Sequence, residues 1–170
     1  MKIVILGAGR IGGSLARNLS NSNYEVCVVD ENKNRLSELE DRLDIMTVEG
    51  SASHLKTLKK SNLDKESIIL AVTSNDEVNI VACQIAKKFF HVKKTICRFK
   101  DNSYFENLDI FGEGVIDIPI SPEDEITTHL KELIDHPGAN QIESFANGKV
   151  KLVSVKAKKK GRLVGRELKG

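Results

Sequence analysis

Several features that define other protein classes are scarce in this 170-residue chain. No apolar stretch approaches the roughly 20 residues that a membrane-spanning helix needs. The amino terminus enters a short strand-like run and then a glycine loop, so we expect no secretory signal peptide. The formal net charge is only +2, which gives no electrostatic case for binding nucleic acid. These absences predict a soluble protein of the cytosol.

Cysteine is scarce too, and its spacing excludes a disulfide framework. Cys27, Cys83 and Cys97 are far apart in the chain and fit no metal-ligand or disulfide pattern. Cys27 and Cys97 lie in apolar, strand-like runs, so we expect buried free thiols. Hydrophobic residues are plentiful at 40% and charged residues make up 29%, which is typical of a globular chain with a core.

Short runs rich in Val and Ile alternate with segments of helical spacing as far as residue 120. The predicted strands are Lys2–Leu6, Glu25–Asp30, Ile45–Glu49, Ser67–Val72, Thr95–Phe99 and Val115–Ile118. These runs are mostly continuous rather than alternating, which is typical of parallel strands covered on both faces. The alternation therefore predicts an α/β fold with a doubly wound parallel sheet.

Apolar residues repeat at helical spacing between these strands. One helix is predicted on Ile11, Leu15 and Leu19, a second on Leu36, Leu39 and Leu43, and a later one on Val78, Val81, Ala82, Ile85 and Phe89. The segment Asp30-Glu31-Asn32 offers a cap for the second helix, and Asn75 or Asp76 offers one for the later helix.

The pattern changes after residue 120. Ser121-Pro122-Glu123 is typical of a helix start, and His136-Pro137-Gly138 of a helix end. One apolar stripe lies between them, on Ile126, Leu130, Leu133 and Ile134.

A β-rich segment follows this helix. Strands are predicted at Gln141–Ala146 and Lys149–Ala157, joined by the hairpin signal Asn147-Gly148. One hairpin cannot bury a core, so we expect this segment to belong to a longer protein. The basic run Lys158–Arg162 is expected to be a solvated hairpin end rather than a binding patch.

The first predicted strand leads directly into Gly7-Ala8-Gly9-Arg10-Ile11-Gly12. This spacing, with a strand before it and a helix after it, is typical of a dinucleotide-binding loop. Gly7 permits the tight turn, Gly9 lets the backbone approach the phosphates, and Gly12 lets the helix pack closely on the sheet. Amide groups at the helix start would then face the phosphates.

An acidic residue stands where such a site needs one. Asp30 lies 18 residues beyond Gly12, at the end of the second predicted strand. A carboxylate there accepts hydrogen bonds from ribose hydroxyls and repels a 2′-phosphate, which favours NAD or an adenosine nucleotide over NADP. The alternative role for Asp30 is a helix cap.

Other strand ends are expected to line the same crevice. Gly50-Ser51-Ala52 forms a small-residue turn after the third strand, and Thr73-Ser74 begins a polar segment after the fourth. Arg98 lies near the end of the fifth strand, where burial is costly without an anion. Its partner is either a carboxylate such as Asp76 or Glu77, or a nucleotide phosphate.

Groups for catalysis are missing from the pattern. A dehydrogenase needs a proton donor or acceptor beside the nicotinamide, but no Tyr-x-x-x-Lys pair occurs and no histidine stands at a convincing position. The chain is therefore predicted not to be an enzyme, and a nucleotide sensor is favoured over a small NAD-dependent oxidoreductase. A redox-sensing DNA regulator would need a basic reading helix, whereas the basic run lies in the hairpin region.

Taken together, these segments resemble the TrkA family, cytoplasmic regulatory subunits of Trk potassium-uptake systems built from RCK domains. The resemblance is carried by MKIVILGAGRIGGSLARNL, Val29-Asp30, Glu49–Ser53, Ala71–Asn79, Ser121-Pro122-Glu123, His136–Ala139 and Ser144-Phe145-Ala146. It covers nearly the whole chain.

The resemblance implies a nucleotide site that binds NAD(H) or, alternatively, ATP and ADP. The family's binding positions fall on the loop Gly7–Gly12 and on Asp30, Gly50, Ser51, Thr73, Ser74 and Arg98. Arg10 matches an arginine that faces the terminal phosphates of ATP in related Ktr-type regulators; the alternative is a solvated loop side chain. Glu123 matches a carboxylate that joins a cation near the nucleotide in some relatives, and no other metal ligand is predicted.

The resemblance also implies an assembly and a partner. It divides the chain into a Rossmann-type RCK N-lobe at 1–120, a crossover helix at 121–138 and the start of a C-lobe at 139–170. The apolar helix stripe would pair N-lobes into dimers, as a unit of a tetramer or ring; its alternative is packing within its own lobe. The expected partner is a TrkH-like membrane potassium transporter subunit at the inner face of the cell membrane.

Overall fold

A computed structural model describes residues 1–22, 24–145 and 149–156, apart from the side chain of Ser144. The chain divides into two compact units, Met1–Ser121 and Pro122–Gly170. Each unit is built from its own secondary structure. The first contains the sheet and the glycine loop, and the second contains one long helix and a strand pair.

The first unit alternates strands and helices. Its strands are β1 (Lys2–Leu6), β2 (Glu25–Asp30), β3 (Met46–Glu49), β4 (Ile68–Ala71), β5 (Lys94–Arg98) and β6 (Ile118–Ile120). Its helices are α1 (Arg10–Ser20), α2 (Lys33–Glu40), α3 (Leu55–Lys60), α4 (Asp76–Ile85) and α5 (Asn102–Glu106), with a π turn at Ala86–Phe90 and a 3₁₀ turn at Leu108–Phe111.

The six strands form one parallel sheet in the order β3-β2-β1-β4-β5-β6. The order reverses direction between β1 and β4, and a crevice opens at the carboxyl ends of the strands on either side of such a switch. The predicted doubly wound parallel sheet is thus confirmed.

Successive side chains of the central strands are buried on opposite faces of this sheet. Val4 and Leu6 of β1 belong to one core cluster, whereas Ile3 and Ile5 belong to the other. All five residues of β1 are buried, because helices cover both faces. This is why the strand sequences are continuously apolar.

Asparagines cap two of the helices. The side chain of Asn32 accepts a hydrogen bond from the backbone N–H of Arg35, and that of Asn75 accepts one from Val78. Asn32 is therefore the cap of α2, and Asn75 that of α4, among the candidates that the sequence offered.

The predicted apolar stripe of α4 was wrong in part. Val81 and Phe89 are exposed, while Ile80, Cys83 and Ala86 are buried in the core. The chain passes from α4 into the π turn at Ala86–Phe90, which adds a residue to one turn and rotates the positions that follow. A stripe extended at regular helical spacing therefore misplaces Phe89.

The predicted sixth strand at Val115–Ile118 was also displaced. Val115 is buried in the core from a turn, and the strand begins at Ile118 and includes Pro119. Proline has no N–H for a sheet, but β6 is an edge strand that pairs only with β5.

The second unit contains α6 (Pro122–Asp135) and two antiparallel strands, β7 (Ala139–Phe145) and β8 (Val150–Val155). Helix and strands start and end close to the predicted positions. Lys151 Nζ pairs with Glu132 Oε1 at 3.2 Å, which joins β8 to α6. The predicted hairpin turn at Asn147-Gly148 and the basic run Lys158–Arg162 lie outside the described residues.

All three cysteines are buried free thiols, as expected for Cys27 and Cys97. Burial raises the pKa of Cys27 to about 12, so its thiol stays protonated at neutral pH. Among the helices that the structure describes, none is long and apolar enough to cross a membrane.

Candidate functional site

The glycine loop lies between β1 and α1, at the switch in strand order. Gly7 has φ of +104°, a conformation that side chains disfavour. Its N–H donates to the carbonyl of Val29 at 2.7 Å, and a Cβ there would lie 3.0 Å from Thr73 Cα. The first glycine therefore brings the loop against the ends of β2 and β4 together.

The other two glycines serve different purposes. A Cβ on Gly12 would lie 1.7 Å from the carbonyl oxygen of Gly7, so α1 can reach the sheet only with glycine there. A Cβ on Gly9 would meet nothing within 4 Å. Gly9 faces open space and supplies no side-chain cap to α1. The first-turn amides of α1 are therefore available to an anion.

Asp30 ties the end of β2 to the loop. Its Oδ2 accepts a hydrogen bond from the backbone N–H of Ala8 at 2.6 Å, and its Oδ1 accepts one from Asn32 at 2.8 Å. Each carboxylate oxygen keeps further acceptor capacity, which ribose hydroxyls can use. The amide of Ala8 is thereby committed to Asp30 rather than to a phosphate.

The turn after β3 joins the same cluster. The N–H of Gly50 donates to the carbonyl of Asp30 at 3.0 Å. The hydroxyl of Ser51 lies 3.2 Å from that of Ser53. Gly50 is thus held beside the end of β2, and Ser51 follows it in the turn.

Thr73 at the end of β4 is held by Asn79, which sequence reasoning missed. The backbone N–H and hydroxyl of Thr73 donate to Asn79 Oδ1, at 3.0 and 2.7 Å. Asn79 Nδ2 donates to the carbonyls of Arg98 at 3.0 Å and Thr73 at 3.3 Å. The sequence held a signal for this role, because Asn79 is a polar residue directly before the apolar Ile80 of α4, and both are buried.

Arg98 is buried with its Nη1 donating to the carbonyl of Thr73 at 3.3 Å. The carboxylates suggested as its partners are used elsewhere in the described structure. Asp76 Oδ2 accepts from the backbone N–H groups of Lys100 and Asp101, each at 2.9 Å, and Glu77 accepts from the Tyr104 hydroxyl. Asp76 and Glu77 thus contact the segment that follows β5.

The remaining predicted residues occupy the rim. Arg10 is the first residue of α1 and is exposed, while the side chain of Ile11 packs against the core and leaves only its backbone for a ligand. The carbonyl of Ser74 accepts from Lys100 Nζ at 2.7 Å. Lys100 thus joins the segments that follow β4 and β5.

Glu123 lies in the first turn of α6, in the second unit, where its carbonyl accepts from the Thr127 hydroxyl at 2.8 Å. Within residues 1–22, 24–145 and 149–156, no group of three or more His, Cys, Asp or Glu side chains is placed to hold a metal ion.

The strand order, the glycine loop and the acid at the end of β2 define a Rossmann-type nucleotide-binding unit. Residues 3–122 match the TrkA-N domain family, and this match covers most of the chain. The chain therefore belongs to the TrkA-N family.

Curated relatives resemble the chain along its whole length. The Trk system potassium uptake protein TrkA of Halomonas elongata is 45% identical over 170 residues, covering 99% of this chain and 37% of the relative. The protein of the same name from Vibrio alginolyticus is 42% identical over 171 residues, covering 99% of this chain and 37% of the relative. The chain thus spans little more than a third of the length of these relatives.

Solved structures share the fold at lower identity. The TrkA-N domain of the inner membrane protein ybaL from Escherichia coli aligns with a TM-score of 0.67 and 21% identity, covering 78% of this chain and 96% of that one. A GsuK channel bound to NAD aligns with a TM-score of 0.60 and 21% identity, covering 76% and 22%. GsuK bound to ADP aligns with a TM-score of 0.59 and 23% identity, covering 71% of this chain and 31% of that one.

Proposed function

We propose that this chain is a nucleotide-sensing regulatory unit of a potassium-uptake system. It binds NAD(H) or ATP and ADP in the crevice between β1 and β4. A change of nucleotide alters its conformation, and a membrane transporter subunit responds. No reaction is catalysed.

One observation carries the proposal: the strand ends are joined into a single crevice by direct contacts. Asp30 holds the loop through Ala8, and Asn79 holds Thr73 to the end of β5. A ligand bound across the loop and Thr73 therefore contacts several strand ends at once. Such a ligand can bias the arrangement of the whole edge if it binds two conformations unequally.

The relatives support the choice of partner and ligand. Proteins named Trk system potassium uptake protein TrkA align with nearly the whole chain, and GsuK has been solved with NAD and with ADP. On this basis we assign the unit before α6 as an RCK N-lobe and the segment from residue 139 as the start of a C-lobe. We also propose a TrkH-like membrane subunit as the partner, with this protein in the cytoplasm at the inner face of the membrane.

The apolar stripe of α6 supports an assembly of N-lobes. Ile126, Leu130 and Ile134 are 61%, 53% and 76% exposed. In the part of the chain that the structure describes, these three side chains are left largely uncovered, whereas Leu133 is half-buried. We assign the stripe to a dimer contact, the basic unit of a larger homo-oligomer.

Arg10 decides which nucleotide is sensed. A guanidinium at the start of α1 can add charge-assisted contacts to a γ-phosphate, which ADP and NAD lack. Calorimetry on the full-length protein with NAD, NADH, ATP and ADP compares the four directly. Arg10→Ala is expected to weaken ATP binding by about tenfold more than the binding of ADP or NAD. The control is Lys33→Ala, which removes an exposed cation from α2. Equal losses for all ligands would rule out Arg10 as the discriminator.

Regulation and catalysis are separated by two further measurements. Potassium flux through the transporter subunit, reconstituted with the full-length protein in vesicles, is expected to change when the bound nucleotide is exchanged. Steady turnover of NADH with a small carbonyl substrate would instead identify an oxidoreductase and overturn the proposal.

A further inference from the structure

A second feature beside the loop is a basic groove between α1 and α2. A pocket of about 290 Å³ lies there, lined by Arg10, Gly13 and Arg17 of α1, by Arg35 and Glu38 of α2, and by Arg42 just after α2. Four of these residues are arginines and one is an acid. We call this feature the arginine groove.

The groove brings together arginines from α1, from α2 and from the turn after α2. On α1 the two arginines are seven residues apart, about two turns or ~10 Å along the axis. Gly13 lies between the arginines of α1, and a Cβ there would be 3.8 Å from Leu39 Cδ2 and 3.9 Å from Arg17 Nη1. The absent side chain leaves room on the groove floor, and Arg17 folds over it.

The arginines are not explained by ion pairs. No carboxylate of the described residues lies within ion-pair distance of these four guanidinium groups. All four arginines are exposed on one side of the unit, where they repel one another. An anion in the groove would remove that repulsion.

Helix electrostatics point the same way. The first turns of α4 and α6 carry acids, which the helix dipole favours. The first turns of α1 and α2 carry none, and Arg10 and Arg35 stand there instead. Cations at helix amino ends are unfavourable for stability, so this placement is better accounted for by a bound anion.

We propose that the arginine groove binds a compact anion carrying two or more phosphate groups. A short chain of phosphates offers more negative charge and more acceptor oxygens to the four guanidinium groups than a single phosphate does. Those phosphates come either from a free oligophosphate or from a nucleotide in the crevice, whose loop residues Ala8 and Gly9 also line the pocket. This inference goes beyond the proposed function, because it assigns an anion-binding role to Arg17, Arg35 and Arg42, which the proposed nucleotide site does not include.

Inorganic tripolyphosphate is the probe, titrated into the full-length protein by calorimetry at fixed ionic strength. The double variant Arg17→Gln/Arg42→Gln is expected to bind it at least about tenfold more weakly than wild type. The matched control Lys33→Gln/Lys56→Gln removes the same charge from exposed positions of α2 and α3 and is expected to stay within about twofold. No binding by wild type, or equal weakening in both double variants, would overturn the proposal.

Nucleotide titrations identify the source of the phosphates. If the affinities for ATP and NADP fall in the double arginine variant while the affinity for NAD does not, the groove receives phosphates of the bound nucleotide. If tripolyphosphate binds equally well to NAD-loaded protein, the groove takes a free anion. If the double arginine variant binds both NAD and tripolyphosphate as tightly as wild type does, the arginine groove is rejected. The proposed function still stands in that case.

Discussion

Asp30 Oδ2 accepts a hydrogen bond from the backbone N–H of Ala8 at 2.6 Å, so the carboxylate that we propose for the ribose also holds the glycine loop in place. Under this proposal one carboxylate serves two purposes, because it has acceptor capacity for the loop and for ribose hydroxyls. The two purposes can be separated by experiment.

Asp30→Asn is expected to weaken the binding of NAD by about tenfold or more. The amide keeps one acceptor but loses the charge, and charge-assisted hydrogen bonds are worth about 1.5–3 kcal/mol. Calorimetry measures the affinity and denaturant unfolding measures the stability. Glu31→Gln, an exposed neighbour with the same loss of charge, serves as the control. Unchanged NAD affinity in Asp30→Asn would exclude this carboxylate from the ribose site.

Gly12→Ala and Gly9→Ala form a matched pair. The Cβ at position 12 would overlap the Gly7 carbonyl, so we expect a loss of about 3 kcal/mol or more in the free energy of unfolding. The Cβ at position 9 has open space, so stability is expected to stay within about 1 kcal/mol while nucleotide affinity falls. Urea denaturation and calorimetry on both variants test this. A Gly9→Ala protein that binds NAD normally would contradict the assignment of that position to the phosphates.

Asn79→Leu is expected to lower the free energy of unfolding by about 2–4 kcal/mol. The substitution keeps a branched side chain of similar shape but leaves the Thr73 amide and the Arg98 carbonyl without their partner in a buried position. Val78→Ala on the same helix controls for a simple loss of packing. Nucleotide affinity should fall in Asn79→Leu more than in Val78→Ala, measured where both proteins are folded.

Asp117 gives the first unit a defined acid response. Burial opposes ionisation of this carboxyl, but hydrogen bonds from Lys87 and Thr95 outweigh it and hold its pKa below the ordinary 3.8. A depressed folded-state pKa stabilises the fold above the unfolded value, and this contribution is lost as pH falls through the folded value. The stability difference between wild type and Asp117→Asn should be constant near neutral pH and shrink below about pH 4. A difference that grows on acidification would refute the assignment.

Strand number, parallel pairing and the need for glycine at positions 7 and 12 follow from local sequence. Runs such as Ile3–Leu6 are apolar at every position, which suits only a strand covered on both faces. The glycine spacing similarly restricts the turn, because close backbone approach tolerates no side chain at position 12. These signals lie within a few residues of the features they specify.

Other features depended on contacts that no local pattern contains. The π turn after α4 moves Phe89 to the surface, and edge position alone allows Pro119 in a strand. The role of Asn79 depends on folding, because Thr73 and Arg98, which it contacts, come from the ends of two different strands.

The sequence by itself determined the fold class, the loop and the acid at the end of β2, because backbone conformation and hydrophobic burial act over short stretches of chain. Only the tertiary structure decided that Arg98 donates to the carbonyl of Thr73, and that arginines of α1, of α2 and of the turn after α2 line one groove. Such relationships depend on distances between residues far apart in the chain, which packing of the helices on the sheet establishes.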